Sequence, residues 1–475
     1  MTMNRTTATR LAILILVALA TRLPVFGNPI VHVDESFYLV VARAITEGAL
    51  PFVDIWDRKP IGLFLLYLPA AALPFAWSIY AYQAMALVSA LATALLIARL
   101  ADRAGWRRGA TFAGAAYLLW LVPLGGVGGQ APVFFNLPMA GAATLILIGR
   151  GDRRYGLAAM ALVGVSLQIK YSVVFEGMFF GVWLLLTDWR ARRSVAAVAG
   201  YAAALIALAL LPTLAAYAFY AVAGHGEAFF FANFSSILGR RPDPWSERLG
   251  NAATLTLILS PLLAMAFVRS RVADVEDRGD RVFLRCWFAA SLLGIALFGT
   301  WFDHYGLPAL VPGCACAAGF FEAARRSWGY VVLAIVASAG AITVYVNRVN
   351  RGTPAQFAAL VTAVGRGPGC LWVQSGETML HAATGRCTSS RFVFPSHLGR
   401  SREHAAIGTD QASEIDHILA SKPAVIVMRG AYRGERPEIR AHVLRAIRTD
   451  YRRTGEVVLG KNRVTVYKSS ARADR

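Results

Sequence analysis

Long apolar runs alternate with short polar connectors along most of this chain, and each run approaches the roughly 20 residues that a helix needs to cross a bilayer. About eleven runs are predicted as transmembrane helices, starting near Leu11, Ser78, Gly109, Pro132, Gly156, Tyr171, Val195, Asn251, Val282, Gly306 and Trp328. The first is short and is followed by Thr21-Arg22-Leu23-Pro24, so a cleaved leader competes with a helix there; no Ala-x-Ala-like site follows cleanly, and a helix is the reading. From about Asn347 the apolar runs shrink to strand length (Leu371–Gln374, Phe392–Phe394, Ala424–Met428, Val457–Leu459, Val464–Tyr467) between the helical patterns Ala412–Ala420 and Glu438–Arg452. The expected organisation is an α-helical polytopic membrane domain over 1–346, whose first external loop is 28–60, and a small α/β domain over 347–475.

The connectors differ sharply in charge. One set holds Arg99, Arg103, Arg107, Arg108, Arg150, Arg153, Arg154, Arg190, Arg192, Arg193, Arg269, Arg271, Arg278, Arg281, Arg325 and Arg326, joined by Arg5 and Arg10. The other set (28–60, 123–131, 224–250, 300–305) has few cations. Basic connectors face the cytoplasm, so an odd number of spans puts the C-terminal domain outside. Composition agrees: 56% hydrophobic and 16% charged residues exclude an ordinary soluble chain, disorder and a coiled coil. The net charge of +20 is first a topology signal, and a nucleic-acid partner is not expected. From Arg348 onward there are 21 Lys and Arg against 10 Asp and Glu, which suits anionic headgroups or an anionic glycan outside. Abundant Arg and Ala suggest a GC-rich bacterial genome, so the expected location is the inner membrane with the C-terminal domain in the periplasm.

Of five cysteines, Cys286, Cys314 and Cys316 fall in apolar runs and read as packing residues. Cys370 and Cys387 flank a strand–helix unit outside the membrane, either as a disulfide in an oxidising compartment or as two free thiols.

Polar residues crowd the first external segment, where His32-Val33-Asp34-Glu35 precedes a short amphipathic helix (Ser36–Thr46, ended by Gly48) expected on the membrane surface. Adjacent acids there can serve as a cap and dipole-compensating charge. The segment adds Asp54, Asp57, Arg58 and Lys59-Pro60 before an apolar stretch. A divalent ion on Glu35, Asp54 and Asp57 is conceivable, and metal dependence is open. Lys59 has the alternative of snorkelling to the interface. Lys170 lies between two apolar runs, where a charge is costly without a purpose, and Glu176 is its candidate ion-pair partner. His304-Tyr305 can also be read as an aromatic-belt pair, and Phe229-Phe230-Phe231 with Trp245 as an interfacial helix that lines a lipid path or anchors its loop.

Asp34-Glu35 after the first span, Gly48-x-x-Pro51-Phe52-x-Asp54 and Lys59-Pro60 together resemble the membrane glycosyltransferases related to protein O-mannosyltransferases and the aminoarabinose lipid A transferase. Lys170 before Phe175-Glu176-Gly177, His304-Tyr305-Gly306-Leu307-Pro308 and Arg391-Phe392-Val393-Phe394-Pro395 match later parts of the pattern in the same order. The resemblance implies the C-type glycosyltransferase fold and a polyisoprenyl-phosphate sugar as donor. It implies Asp34 as the base of an inverting transfer, with Glu35 beside it. Lys59, Lys170, His304, Tyr305 and Arg58, with Arg240 and Arg241 further candidates, would meet the donor phosphate, all converging on one cavity at the outer leaflet. Asp54, Asp57 and Gln130 are candidates for acceptor or metal contacts. One departure is that Gly128-Gly129-Gln130-Ala131-Pro132 and Asn136 stand where the family often has an acid. The implied function is sugar transfer to lipid A or lipopolysaccharide, another envelope glycan or a protein. A transporter or flippase for an amphiphile, and an inactive glycolipid-binding assembly protein, are the alternatives.

Overall fold

The computed structural model describes residues 5–191, 193–268, 275–323 and 326–470, so Arg192, Arg269, Arg271 and Arg325 of the basic set lie outside the described residues. Among these residues, eight helices are long and apolar enough to cross a membrane: Arg5–Val25, Phe75–Arg103, Ala131–Gly149, Tyr171–Arg190, Val195–Val222, Trp245–Ala266, Arg278–Phe298 and Ser327–Val364. The runs expected from Gly109, Gly156 and Gly306 form shorter helices, Ala110–Trp120, Arg153–Leu167 and Leu310–Glu322. At 1.5 Å per residue these extend only about 17 to 23 Å, because turns at Gly125, Gln168 and the Asp303–Gly306 3₁₀ turn take up part of each run. A further short apolar helix, Ile61–Ala71, follows the first loop.

The chain divides into two compact units. One comprises the residues up to Val25, Gln83–Ala215 and Pro244–Val344, all helical. Arg22 is part of its interior: the guanidinium is buried and donates to the carbonyls of Gly126, Val127 and Gly128 at 2.9, 2.9 and 3.2 Å. Several members of the basic set meet here, with Arg10 on Asp102 (2.5 Å), Arg103 on Asp280 (3.3 Å) and Arg281 donating to the Ala104 carbonyl (2.8 Å). Ile206, Leu210, Leu211 and Leu214 leave an apolar stripe exposed, as a helix bathed in lipid tails should.

The other unit comprises Phe26–Tyr82, Ala216–Asp243 and Tyr345–Arg475. Its sheet contains β1 (Leu371–Val373), β2 (Val425–Arg429), β3 (Tyr451–Leu459) and β4 (Asn462–Ser469) in the order β1-β2-β4-β3. β1 and β2 are parallel, and β4 runs antiparallel to both β2 and β3. Helices Gln411–Ala420 and Pro437–Asp450 bury Ile415, Ile418, Ile439, Val443 and Ile447 against Trp372, Ile426 and Met428. Trp56, from the 28–60 loop, completes that core. Its N–H donates to the Arg391 carbonyl at 2.9 Å, so the loop and the C-terminal region share one hydrophobic interior.

Two local expectations are corrected. Phe392–Phe394 is a loop instead of a strand: Phe392 and Val393 are buried, and Pro395 opens the helix Pro395–Gly399. Tyr451 and Arg452, read as the end of a helix, begin β3, where pairing with β4 outweighs local propensity. Cys370 and Cys387 are joined in a disulfide at the edge of β1.

Candidate active site

The Phe26–Tyr82 part of the second unit holds most of the predicted site. The helix there runs Val33–Thr46. His32 caps it by accepting the Asp34 N–H on Nδ1 at 3.2 Å, and Gly48 takes a positive φ of 96° after the last turn. Asp34 and Glu35 occupy the first turn, where the helix N-terminus favours negative charge. The helix is not a surface amphipath: Glu35 to Ala42 are all buried, because the helix Ile61–Ala71 and the segment Leu380–Thr384 pack on it. Glu35 is fully buried, whereas the Asp34 side chain keeps 20% of its surface accessible. Of the two acids, Asp34 is the one a reactant can reach.

Asp34 and Tyr38 are one helical turn apart on the same face. The Tyr38 hydroxyl has its pKa pushed well above the ordinary value by burial, then by the charges of Asp34, Tyr67, Asp57 and Glu35. It therefore remains a protonated donor amid a group of acids. Lys59 joins this group: Nζ donates to Asp57 at 2.9 Å and lies 5.3 Å from the Tyr38 ring and 5.8 Å from the Phe37 ring. Burial would lower the ammonium's pKa, but Asp57 and Asp34 outweigh it and raise the pKa above its usual value. The cation is thus held in place by acids and aromatic faces, which is more than a snorkelling chain requires.

Arg58 belongs elsewhere. It donates to Glu403 at 2.6 Å and to Ser236 at 3.2 Å, and lies 5.1 Å from the Trp56 ring. Arg240 also meets Glu403, at 3.0 Å. These two arginines are committed to a buried carboxylate and stitch the loop to the C-terminal fold. Asp54 accepts the Leu50 N–H at 2.7 Å, which closes a turn. Glu35, Asp54 and Asp57 do not form a metal site: among the described residues, no group of three or more His, Cys, Asp or Glu is placed to hold an ion. Phe229 is turned inward onto Phe52 and Tyr220, while Phe230 and Trp245 are exposed.

Lys170 lies in the first unit. The helix Arg153–Leu167 closes with the Lys170 N–H donating to the Ser166 carbonyl at 3.0 Å, and the chain restarts through Tyr171–Val173. Nζ lies 4.7 Å from the centre of the Tyr305 ring. Tyr305 is in the 3₁₀ turn Asp303–Gly306, packed edge-on to His304 at 4.8 Å. His304 Nδ1 approaches Asp303 at 3.2 Å, and a Cβ on Gly306 would meet the end of the Leu255 side chain at 2.7 Å, so that side chain would have to shift. The structure thus brings Lys170 onto Tyr305 of the His304-Tyr305 pair, more than 130 positions away in sequence. Glu176 is not the partner of Lys170: its carboxylate accepts from Trp287 Nε1 at 2.6 Å and Ser291 at 3.0 Å. Lys170, Glu176, Ser291 and Tyr305 line a cavity of about 30 Å³. Gln130 is buried at the N-terminus of Ala131–Gly149, and Asn136 donates to the Leu307 carbonyl at 3.0 Å and to Tyr117 at 3.3 Å, a structural tie.

Tyr38, Glu403 and His397 were not singled out from the sequence. The i, i+4 relation of Tyr38 to Asp34 was a usable signal, whereas Glu403 and His397 meet the 56–59 segment only through the fold. His397 packs on Trp56 at 4.7 Å, with Nε2 3.9 Å from Asp57. Burial lowers its pKa to about 3 despite Asp57, so the ring is neutral and the contact is no ion pair.

No protein-family model and no curated protein matches the sequence. The fold does have solved counterparts. The crystal structure of ArnT from Cupriavidus metallidurans bound to undecaprenyl phosphate superposes with a TM-score of 0.62 at 15% identity, covering 97% of each chain. The apo form of that protein gives a TM-score of 0.65 at 14% identity, covering 97% of this chain and 98% of that one. The chain has the ArnT fold from end to end, a multi-pass membrane architecture with a small sheet near the C-terminus.

Proposed function

We propose that the protein is an inverting glycosyltransferase that moves a sugar from a polyprenyl-phosphate donor to an acceptor outside the cytoplasm. One observation carries the reading: an accessible carboxylate at a helix N-terminus, electrostatically coupled to a held ammonium, within a fold shared with a protein crystallised with undecaprenyl phosphate.

Asp34 takes the proton from an acceptor hydroxyl as that oxygen attacks the anomeric carbon on the face opposite the phosphate. The new C–O bond forms while the bond to the phosphate oxygen breaks, so the configuration inverts and the lipid phosphate leaves with both bonding electrons. Lys59 neutralises the charge that grows on that phosphate, which a fixed cation does effectively where water is scarce, and in the first unit Lys170 is a second candidate cation for a lipid phosphate. Tyr305 and His304 position Lys170, and Tyr38 positions Asp34. Arg58 and Arg240 are assigned to structure. The Cys370–Cys387 disulfide supports an oxidising surrounding for the C-terminal region, consistent with the periplasmic side of a bacterial inner membrane. The acceptor is an envelope glycolipid, another glycan or a protein.

The test is transfer of radiolabelled sugar by membranes carrying the wild type or Asp34→Asn; equal transfer rejects Asp34 as the base. Mass spectrometry of envelope glycolipids from a deletion strain would identify the sugar and acceptor together.

A further inference from the structure

A cavity of about 290 Å³ opens in the second unit at the carboxyl ends of the parallel strands β1 and β2. In parallel α/β sheets that end is where ligands settle, because the loops diverge there and leave backbone and side-chain donors facing a common space. Its lining comes from the loop after β1, including Ser375, Glu377 and Thr378, and from the end of β2 and the loop after it, with Arg429, Tyr432 and Arg433. Arg400 also lines it, as does Val33, the residue immediately before Asp34. Three arginines face one carboxylate.

The frame of the cavity is built independently of any occupant. The Arg429 N–H donates to the Ser375 carbonyl at 3.0 Å and to its hydroxyl at 3.1 Å. The Ser401 N–H donates to the Gly434 carbonyl at 3.1 Å, and Arg400 and Glu435 form a β-bridge. Glu435 itself is neutralised by Arg440 at 3.1 Å. The polar atoms at the cavity are less satisfied than the frame. Arg429 Nε and the Tyr432 hydroxyl are both buried without a hydrogen-bond partner among the described residues, while the Arg429 guanidinium lies 4.5 Å from the Tyr432 ring. Buried donors of this kind are costly when left unmade, and an arginine fork beside hydroxyl groups matches a planar or tetrahedral oxyanion.

From this arrangement we infer that the cavity binds the anionic group of a sugar acceptor, a sugar phosphate or a uronate, through Arg429, Tyr432 and the neighbouring arginines. The inference rests on the glycosyltransferase reading for its word acceptor, and on the cavity alone for the anion. Val33 links the two in sequence: an anion anchored here holds its sugar beside the first turn of the helix that carries Asp34.

The experiment titrates the purified full-length protein in detergent with glucose 1-phosphate, glucuronate and neutral glucose, for wild type, Arg429→Gln and Tyr432→Phe. Separate binding to nanodiscs containing undecaprenyl phosphate monitors the donor site. Expected is binding of an anionic sugar but not glucose, weakened roughly ten- to a hundredfold in Arg429→Gln and severalfold in Tyr432→Phe, with undecaprenyl phosphate binding unchanged in both. The preferred sugar, phosphate or uronate, identifies the anion. Tyr432→Phe removes one oxygen atom and keeps the ring, so its loss of binding at unchanged melting temperature cannot be attributed to misfolding. Equal binding of glucose and the anions, or unchanged anion binding in both variants, overturns the cavity's role. Selective anion binding by a wild type that transfers no sugar overturns the acceptor assignment and the enzyme reading while the anion site stands.

Discussion

Replacing Glu403 with Gln removes the charge that holds two arginines in the interior of the second unit. Glu403 is 1% exposed and meets Arg58 at 2.6 Å, Arg240 at 3.0 Å and Arg402 at 3.4 Å. Burial alone would raise the pKa of its carboxyl, but Arg58 and Arg240 overcome that and lower it from 4.5 to about 2. At 1.36 kcal/mol per unit, this difference between folded and unfolded chains is on the order of 3 kcal/mol. Because the folded value is the lower one, the stabilisation is complete above about pH 4.5 and is lost as pH falls towards 2. Glu403→Gln leaves Arg58 and Arg240 without their counter-charge, a loss of about 3–5 kcal/mol for a broken buried pair. For a unit of this size that lowers the melting temperature by roughly 6–20 °C, which tryptophan fluorescence can follow because Trp56 lies in the affected core. The double variant Arg58→Gln/Glu403→Gln should recover part of the loss, since removing both partners leaves fewer stranded charges. A melting temperature within 2 °C or so of wild type in Glu403→Gln would refute the reasoning, as would strictly additive losses in the double variant. Additivity would return Arg58 to the list of phosphate ligands.

Asp34→Asn should reduce sugar transfer by roughly a hundredfold or more at unchanged melting temperature, read by radiolabelled product. Lys170→Gln should slow transfer by about 10²–10³-fold, with Lys170→Arg intermediate because the charge survives while the ammonium's fit over Tyr305 does not. His397→Phe should flatten the loss of stability below pH 6.5: burial holds the native ring neutral to about pH 3, so the unfolded chain gains the proton first and wild type weakens as pH falls through that window. Melting curves at pH 7.5 and 5 compare the two; an identical pH response would remove His397 as the cause. Reducing the Cys370–Cys387 bond, which spans 17 positions, should cost about 3 kcal/mol, seen as a lower melting temperature with dithiothreitol that is absent in the double Cys→Ser variant.

The membrane architecture was readable in the linear pattern, because a bilayer demands long apolar helices and every residue in such a helix reports its own environment. All eight long helices begin close to where the apolar runs predicted them. The lengths of the three shorter ones were misjudged for a local reason, the turns that interrupt their runs. Strands β1, β2 and β4 were legible through short apolar runs, and the first half of β3 was hidden because Tyr451-Arg452-Arg453-Thr454 acquires its strand character from pairing with β4.

Which charges are available was decided only by the tertiary structure. In sequence, Arg58 and Lys59 are adjacent cations at the same water–lipid boundary. Folded, Arg58 is tied to Glu403, 345 positions away, while Lys59 remains with Asp57 two positions off and is coupled to Asp34. Asp34 and Glu35 are equally adjacent, yet helical geometry rotates Glu35 into the interior and leaves Asp34 accessible. The reason is common to both pairs: hydropathy belongs to each residue separately and survives in the linear order, whereas the partner of a charge is set by long-range packing, which determines whether that charge is spent on holding the fold or left for chemistry.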